Sequence, residues 1–341
     1  MKKYLILLLS LFFLGCTNKN KNKEQITIYT KRHYDVDKDL FKKFEEDYNI
    51  TVNVVQASAD ELIERIKTEG DNCPADLLIT VDAGKLYKAA NKNLLEKINI
   101  SEINTNINQN LIDKNGYWVP ITYRSRVIAY NPEKVDIDDL STYEDLKNVK
   151  WKNRILVRSS SNAYNQALLS SLIAHNGKNA TLDWANKISD NFARNPKGND
   201  RDQIRAIYAN EGDIAIVNSY YMGLLKSSDV EYDKEVGNAI KIFFPNQGEN
   251  ERGAHVNISG IGLLKNSPNK ENALKLIKFL TSEYAQNYYT NNSFEYPVNL
   301  NVKPSNIVAE WGEFKIDNLD LNELGIKRKQ AIEIFEKSKW D

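Results

Sequence analysis

Short apolar runs of β-branched residues alternate along this chain with stretches whose apolar positions recur every three or four residues. Residues 26–30 predict a strand, and residues 35–48 a helix with Leu40, Phe41, Phe44 and Tyr48 on one face. Residues 51–55 predict a second strand, and Ser58 with Glu61 forms a capping-box pattern opening a helix through Leu62 and Ile66. A third strand, residues 75–81, ends at Asp82. Asn115-Gly116 marks a turn before an extended stretch, residues 117–131, which is longer than a usual strand and is a candidate crossing between two lobes. Further on, Ser141 with Glu144 reads as a second capping box and residues 155–157 as a strand. A helix capped by Ser161 or Asn162 then ends at Gly177. Helices are predicted over 181–192 and 200–210, then a strand buried on both faces over 214–217. Residues 240–244 and 256–264 predict strands, with 245–248 as a second candidate crossing. A long amphipathic helix is expected over 269–289, and a helical tail over 327–339. Strands alternating with helices predict βαβ units, an α/β class and a largely parallel sheet.

The N-terminus breaks this pattern. Met1-Lys2-Lys3, an apolar run to Leu14, and Gly15-Cys16 have the layout of a secretory signal, and the run is too short to span a membrane. The cysteine after Leu14-Gly15 resembles a bacterial lipoprotein signal. Residues 1–15 would then be removed, Cys16 would carry the lipid, and the Asn/Lys-rich residues 16–24 would form a flexible tether. Phe13 stands where that pattern more often has Leu. What remains is long enough to favour two lobes. Lys plus Arg and Asp plus Glu both number 46. Losing Lys2 and Lys3 tips this balance slightly acidic, which excludes nucleic acid as an expected partner. With Cys16 lipidated, Cys73 is the one thiol left and no intrachain disulfide is expected.

Candidate chemistry gathers at strand ends and helix starts. His33 and Tyr34 follow the first strand, Tyr164 lies in the first turn of the helix after Asn162, and Tyr220 and Tyr221 follow the strand over 214–217. Both phenols of that pair could meet one ligand only if the backbone turns at the strand's end. In open α/β sheets such ends are where ligands bind. Phenolate is a hard anionic donor, and imidazole is compatible with iron. Free tyrosine keeps its proton up to about pH 10, so a strongly charged ion such as Fe³⁺ is needed to displace it near neutrality. Five such ligands nearly fill an octahedral shell. Four phenolates leave the ferric centre with a net negative charge, which Lys31, Arg32, Arg124 and Arg126 are placed to offset.

Several blocks together resemble the periplasmic ferric-iron-binding proteins of ABC transporters, in particular the tyrosine-rich branch that needs no synergistic anion. They are residues 28–34, 59–66, Pro74-Ala75-Asp76, 158–166, Gly198-Asn199-Asp200, Asn218-Ser219-Tyr220-Tyr221 and 255–260. The resemblance runs from about residue 26 to residue 296. It implies a two-lobed type II periplasmic-binding-protein fold with a hinge of crossing strands. One lobe would comprise residues 25–122 plus 246–300, the other 123–245 plus 301–341. It further implies Fe³⁺ ligation by His33 and Tyr34 from one lobe and by Tyr164, Tyr220 and Tyr221 from the other. The anion-dependent branch has a Glu after the Pro-Ala-Asp strand, where this chain has Thr80-Val81-Asp82, so Tyr34 replaces the missing carboxylate. Asp82 is then expected to be a helix cap or to support the ligands. Arg124 and Arg126 are expected behind the ligands, with Asn218 there or on an anion. His255 is expected to be a satisfied histidine of the hinge or core.

The implied protein is not an enzyme. It is a periplasmic, lipid-anchored, monomeric binding protein that takes up ferric ion or its chelates and serves a permease and its ATPase. A rival within the same fold captures an oxyanion or small organic ligand, with residues 159–162, Arg124 and Arg126 as its cradle. A hydrolase built on Asp82 and another acid finds no nucleophile elbow or HExxH motif in support. A surface lipoprotein with a purely structural role predicts no ligand-dependent change of shape.

Overall fold

A computed structural model describes residues 24–32, 34–103 and 106–341. The signal, most of the tether, Cys16 and His33 therefore lie outside the described residues. Nine strands are β1 (Gln25–Thr30), β2 (Thr51–Gln56), β3 (Leu77–Thr80), β4 (Val119–Tyr130), β5 (Ile155–Leu156), β6 (Ile214–Asn218), β7 (Lys241–Phe243), β8 (Val256–Leu263) and β9 (Tyr296–Pro297). They run in the order β2-β1-β3-β8-β4-β6-β5, with β7 and β9 also paired to β4. The sheet is mixed rather than largely parallel. β1 is parallel to β2 and β3, and β5 to β6, but β8 is antiparallel to β3 and β4 is antiparallel to every neighbour. Helix–strand alternation signals parallel units one at a time, and it does not see the two long strands that close the order.

β4 pairs with β8 from Val119 to Ser125 and with β6 from Arg126 to Tyr130. The change of partner is pinned by backbone and side chain together. Arg126 N donates to His255 O at 3.0 Å, Ser219 N to Ser125 O at 2.9 Å, and Ser125 Oγ to His255 O at 3.1 Å. Buried residues before the change, including Ile121, pack with β1, β3 and β8. Val127 and Ile128, after it, belong to separate clusters with β5 and β6.

Local details depart from the sequence reading where a polar side chain finds a better use. The long helix over 269–289 is two helices, Lys270–Leu280 and Glu283–Ser293, because Ser282 caps the second by accepting from Ala285 N at 3.3 Å. Ser141 and Glu144 form no capping box. Thr142 Oγ1 accepts from Asp145 N at 3.0 Å instead, and the segment Glu144–Lys147 is a short 3-10 turn. The helix Asp35–Tyr48 has Tyr34 at its cap position with no side-chain bond there, since Asp37 is turned to Arg32. The apolar pattern does not predict several helices, among them Tyr220–Lys226 and Glu231–Ala239.

Asp76 is fully buried and ties β1 to the segment after β8. Its carboxylate accepts from Thr27 N at 2.8 Å, Ser267 Oγ at 2.7 Å and Asn269 N at 2.8 Å. Asp76→Ala strands buried donors at a cost of about 1–3 kcal/mol each when unpaired. Urea unfolding should show a lower midpoint by roughly 3 kcal/mol of stability with an unchanged slope. A loss below about 0.5 kcal/mol would contradict the role given to Asp76.

Candidate functional site

β6 delivers the tyrosine pair. Its five residues are all buried, Ser219 follows in helical conformation, and the helix Tyr220–Lys226 begins at once. The expected turn is therefore a helix start, which lets neighbouring rings share one side. The rings of Tyr220 and Tyr221 stack with centroids 4.2 Å apart. From the opposite side comes Tyr34, at the end of the loop after β1, with its hydroxyl 3.4 Å from that of Tyr220. The third contributor, Tyr164, is the second residue of the helix Ala163–Asn176, and Asn162 caps that helix by accepting from Tyr164 N at 3.0 Å. A cavity of about 420 Å³ opens beside the phenols, lined by Tyr34, Asp35, Asp39, Tyr220 and Leu224 among others.

Three of the phenols are shifted by burial and by their neighbours. Burial, then Tyr164 and Glu295, push the Tyr34 hydroxyl well above the usual phenol range, against the pull of Arg32. Burial, then Tyr164, Tyr34 and Tyr221, do the same to Tyr220, and burial with Tyr164 raises Tyr221. Metal-free, these three stay protonated at neutral pH. Among the described residues no group of three or more His, Cys, Asp or Glu is arranged to hold a metal ion.

Arginines surround them. The guanidinium carbons of Arg124, Arg158 and Arg126 lie 5.3, 5.7 and 6.0 Å from the centre of the Tyr164 ring, within cation–π range. Arg126 is committed through both Nη atoms: it donates to Asp200 Oδ2 at 2.9 Å, Asn218 Oδ1 at 3.2 Å, Asn165 Oδ1 at 2.8 Å and Ile216 O at 3.0 Å, while its buried Nε has no partner among the described residues. Asp200 also faces Arg158 at 3.6 Å. Arg124 donates to the carbonyl of Val81 and forms no ion pair among the described residues. Under Tyr34, the guanidinium carbon of Arg32 lies 4.7 Å from the ring centre. Arg32 is buried and bonded to Asp37, Thr122, Ser259 and Glu295.

The structure thus brings together Tyr34, Tyr164, Tyr220 and Tyr221, with Arg124, Arg126 and Asn218 behind them. Asp82 caps the helix Ala83–Asn91, accepting from Gly84 N at 2.7 Å, and pairs with Arg328. His255 is buried at the change of partner on β4, but its Nε2 has no partner among the described residues, so it is not the satisfied histidine expected. Burial and then the cations Arg126, Arg124 and Arg252 hold it neutral, well below the ordinary histidine range. Of the oxyanion cradle, Arg126 is committed to Asp200, and Ser159 and Ser160 bond the Asp341 carboxylate. Sequence reasoning missed Glu295 and Arg328 altogether, and Arg158 stood in the block 158–166 without a role. Asp200 stood in the Gly198-Asn199-Asp200 block without a role.

Removing either arginine behind Tyr164 separates their duties. Arg126→Met leaves the Asp200 carboxylate buried and, save for Arg158, unpaired, and should cost about 3–5 kcal/mol in thermal or urea unfolding. Arg124→Gln should cost under about 1.5 kcal/mol, because it gives up a single bond to a carbonyl. Equal losses would overturn this division.

Residues 39–316 match the family of bacterial extracellular solute-binding proteins. Iron uptake protein A1 of Synechocystis sp. is 43% identical over 93% of this chain and 88% of its own length. A Trichodesmium structure described as IdiA or FutA in complex with iron and citrate ligands superposes with a TM-score of 0.88 at 43% identity, covering 93% of this chain and all of that one. The ferric binding protein from Campylobacter jejuni gives a TM-score of 0.86 at 41% identity over 92% of this chain and 98% of its own.

Proposed function

The chain belongs to the bacterial extracellular solute-binding proteins, and from that premise we propose that it captures ferric iron and hands it to a membrane permease driven by a cytoplasmic ATPase. Solute-binding proteins of this family are not enzymes, and the fold is the type II periplasmic-binding-protein fold. The observation that carries the ferric reading is the convergence of four phenols from three separate parts of the chain among arginines. Tyr34, Tyr164, Tyr220 and Tyr221 are the proposed ligands, with His33 as the fifth. Arg124, Arg126, Asn218 and Asp82 support them.

The proposal extends to motion and place. Residues 25–122 plus 246–300 and residues 123–245 plus 301–341 act as two lobes that close on the ion about β4 and the stretch before β8, a hinge closure. Support for two lobes comes from the separate apolar clusters on either side of Ser125 and Arg126, while Leu321 and Leu324 pack in the first core and Phe294 and Tyr296 in the second, across those bounds. The protein works as a monomer outside the cytoplasmic membrane, anchored through Cys16; the basic start and the Leu14-Gly15-Cys16 sequence support the anchor.

Titration of metal-stripped protein with ferric citrate should raise an intense tyrosinate-to-iron charge-transfer band that saturates at one iron per chain. The double variant Tyr220→Phe, Tyr221→Phe should fold and lose it; a band that survives intact sinks the ligand assignment. A colourless wild-type titration would turn the reading to an oxyanion or small organic ligand.

Acidity supplies a second test. Burial raises the pKa values of Tyr34, Tyr220 and Tyr221, so each of these three must shed a proton that it holds at neutral pH. Iron binding should release protons into weakly buffered solution, strengthen as pH rises and fade as pH falls below neutrality. Affinity that is flat between about pH 5 and 8 would contradict phenolate ligation.

A further inference from the structure

The last part of the chain runs along the seam between the two cores. Leu321 and Leu324 are buried with β1, β3 and β8, whereas Ala331, Ile334 and Phe335 are buried with β5 and β6. Arg328 stands where the chain passes from one to the other. Its guanidinium donates to Asp82 Oδ2 at 2.6 Å, Ala163 O at 3.1 Å, Gln166 Oε1 at 3.2 Å and Leu324 O at 3.3 Å. The Arg328 and Asp82 side chains are 12% and 2% exposed, so water screens the pair little. The contact is also close. A Cβ on Gly84 would fall 2.9 Å from Arg328 Nη2, and one on Gly325 would fall 2.3 Å from the Tyr87 ring.

Each partner belongs to a different side of the iron site. Asp82 follows β3 and is fixed by its cap on Gly84 N. Ala163 precedes Tyr164, and Gln166 lies in the same first helical turn. Arg124, which faces the Tyr164 ring, donates to Val81 O one residue before Asp82. Two guanidinium groups therefore tie the end of β3 to the Tyr164 side, and of these Arg328 grips the helix backbone itself.

We propose that Arg328 is a positioning residue for the metal site: it clamps the end of β3 to the helix start that carries Tyr164, fixing that phenol against Tyr34 and keeping the cleft shut. The role in iron retention rests on the ferric reading above; the clamp does not. A planar guanidinium meets these acceptors at once, whereas an ammonium cannot.

The test compares Arg328→Ala, Arg328→Lys and Asp82→Asn in the full chain; Asp82→Asn keeps an acceptor for the Gly84 cap. Arg328→Ala should still load iron, but with a weakened and displaced charge-transfer band. Its release of iron to excess EDTA should be at least about tenfold faster, as expected when one partner of a buried charge pair is removed. Arg328→Lys should recover part of both effects, and Asp82→Asn should follow Arg328→Ala. Small-angle scattering of the metal-free proteins should give Arg328→Ala the larger radius of gyration. Wild-type band, release rate and radius in both Arg328→Ala and Asp82→Asn would overturn the clamp, as would lowered thermal stability with those three readouts unmoved. Should wild type itself show no band, the ferric reading falls and the radius alone decides: expansion supports the clamp, and an unchanged radius overturns it.

Discussion

Everything in the cleft depends on β4 being one unbroken strand that serves two sets of partners. Side chains of a strand alternate between faces, so Thr122, Arg124 and Arg126 share one. Each meets a different polar group. Thr122 joins Arg32 and Glu295 beneath Tyr34, Arg124 reaches the Val81 carbonyl, and Arg126 enters the Asp200 pair behind Tyr164. The opposite face sends Tyr123 and Val127 against apolar clusters. A slip of one residue along β4 would bury the arginines in those clusters and turn the apolar side chains toward the phenols. The bonds around Ser125, Arg126 and His255 fix that register at the point where the partner changes.

Under the proposed ligand set, the charges around β4 can be weighed against those of the loaded site. Arg124 is uncompensated, Arg126 and Arg158 share the single carboxylate of Asp200, and Arg32 is outnumbered by Asp37 and Glu295. Taken formally, these groups leave one positive charge in excess while the phenols are neutral. Four phenolates around Fe³⁺ carry one net negative charge. Under the proposed ligand set the loaded cleft is therefore neutral, which removes the cost of an uncompensated buried charge. His255 adds nothing to this balance, because burial among arginines keeps its ring uncharged.

How much of this was legible followed from the range of each interaction. The tyrosines were visible because strand ends and helix starts are local signals: an apolar run that stops, an Asn162 that caps, a phenol just beyond. Asp82 as a cap was visible for the same reason. The supporting charges were not. Arg32 meets Glu295 across 263 positions and Arg328 meets Asp82 across 246, and no local pattern around Glu295 or Arg328 marks either as a partner. The antiparallel setting of β8 and β4 was hidden likewise, because strand direction is set by neighbours far along the chain. The split of the long helix at Ser282 was a local signal left unread: the apolar repeat runs on through it, and the cap does not show in the repeat.

The same electrostatic balance bears on release. With four phenolates in place, reduction of the ion to Fe²⁺ leaves the loaded cleft one negative charge out of balance. Water cannot screen this well, since Tyr220 is 2% exposed and Arg126 and Asp200 are buried beneath Tyr164. The least costly correction is a proton returned to one phenol, whose neutral form burial already favours. That step removes an anionic donor from an ion that holds such donors less strongly to begin with. Under the proposed ligand set, the buried phenol of Tyr220 would thus let the site discriminate between the two oxidation states by its proton affinity.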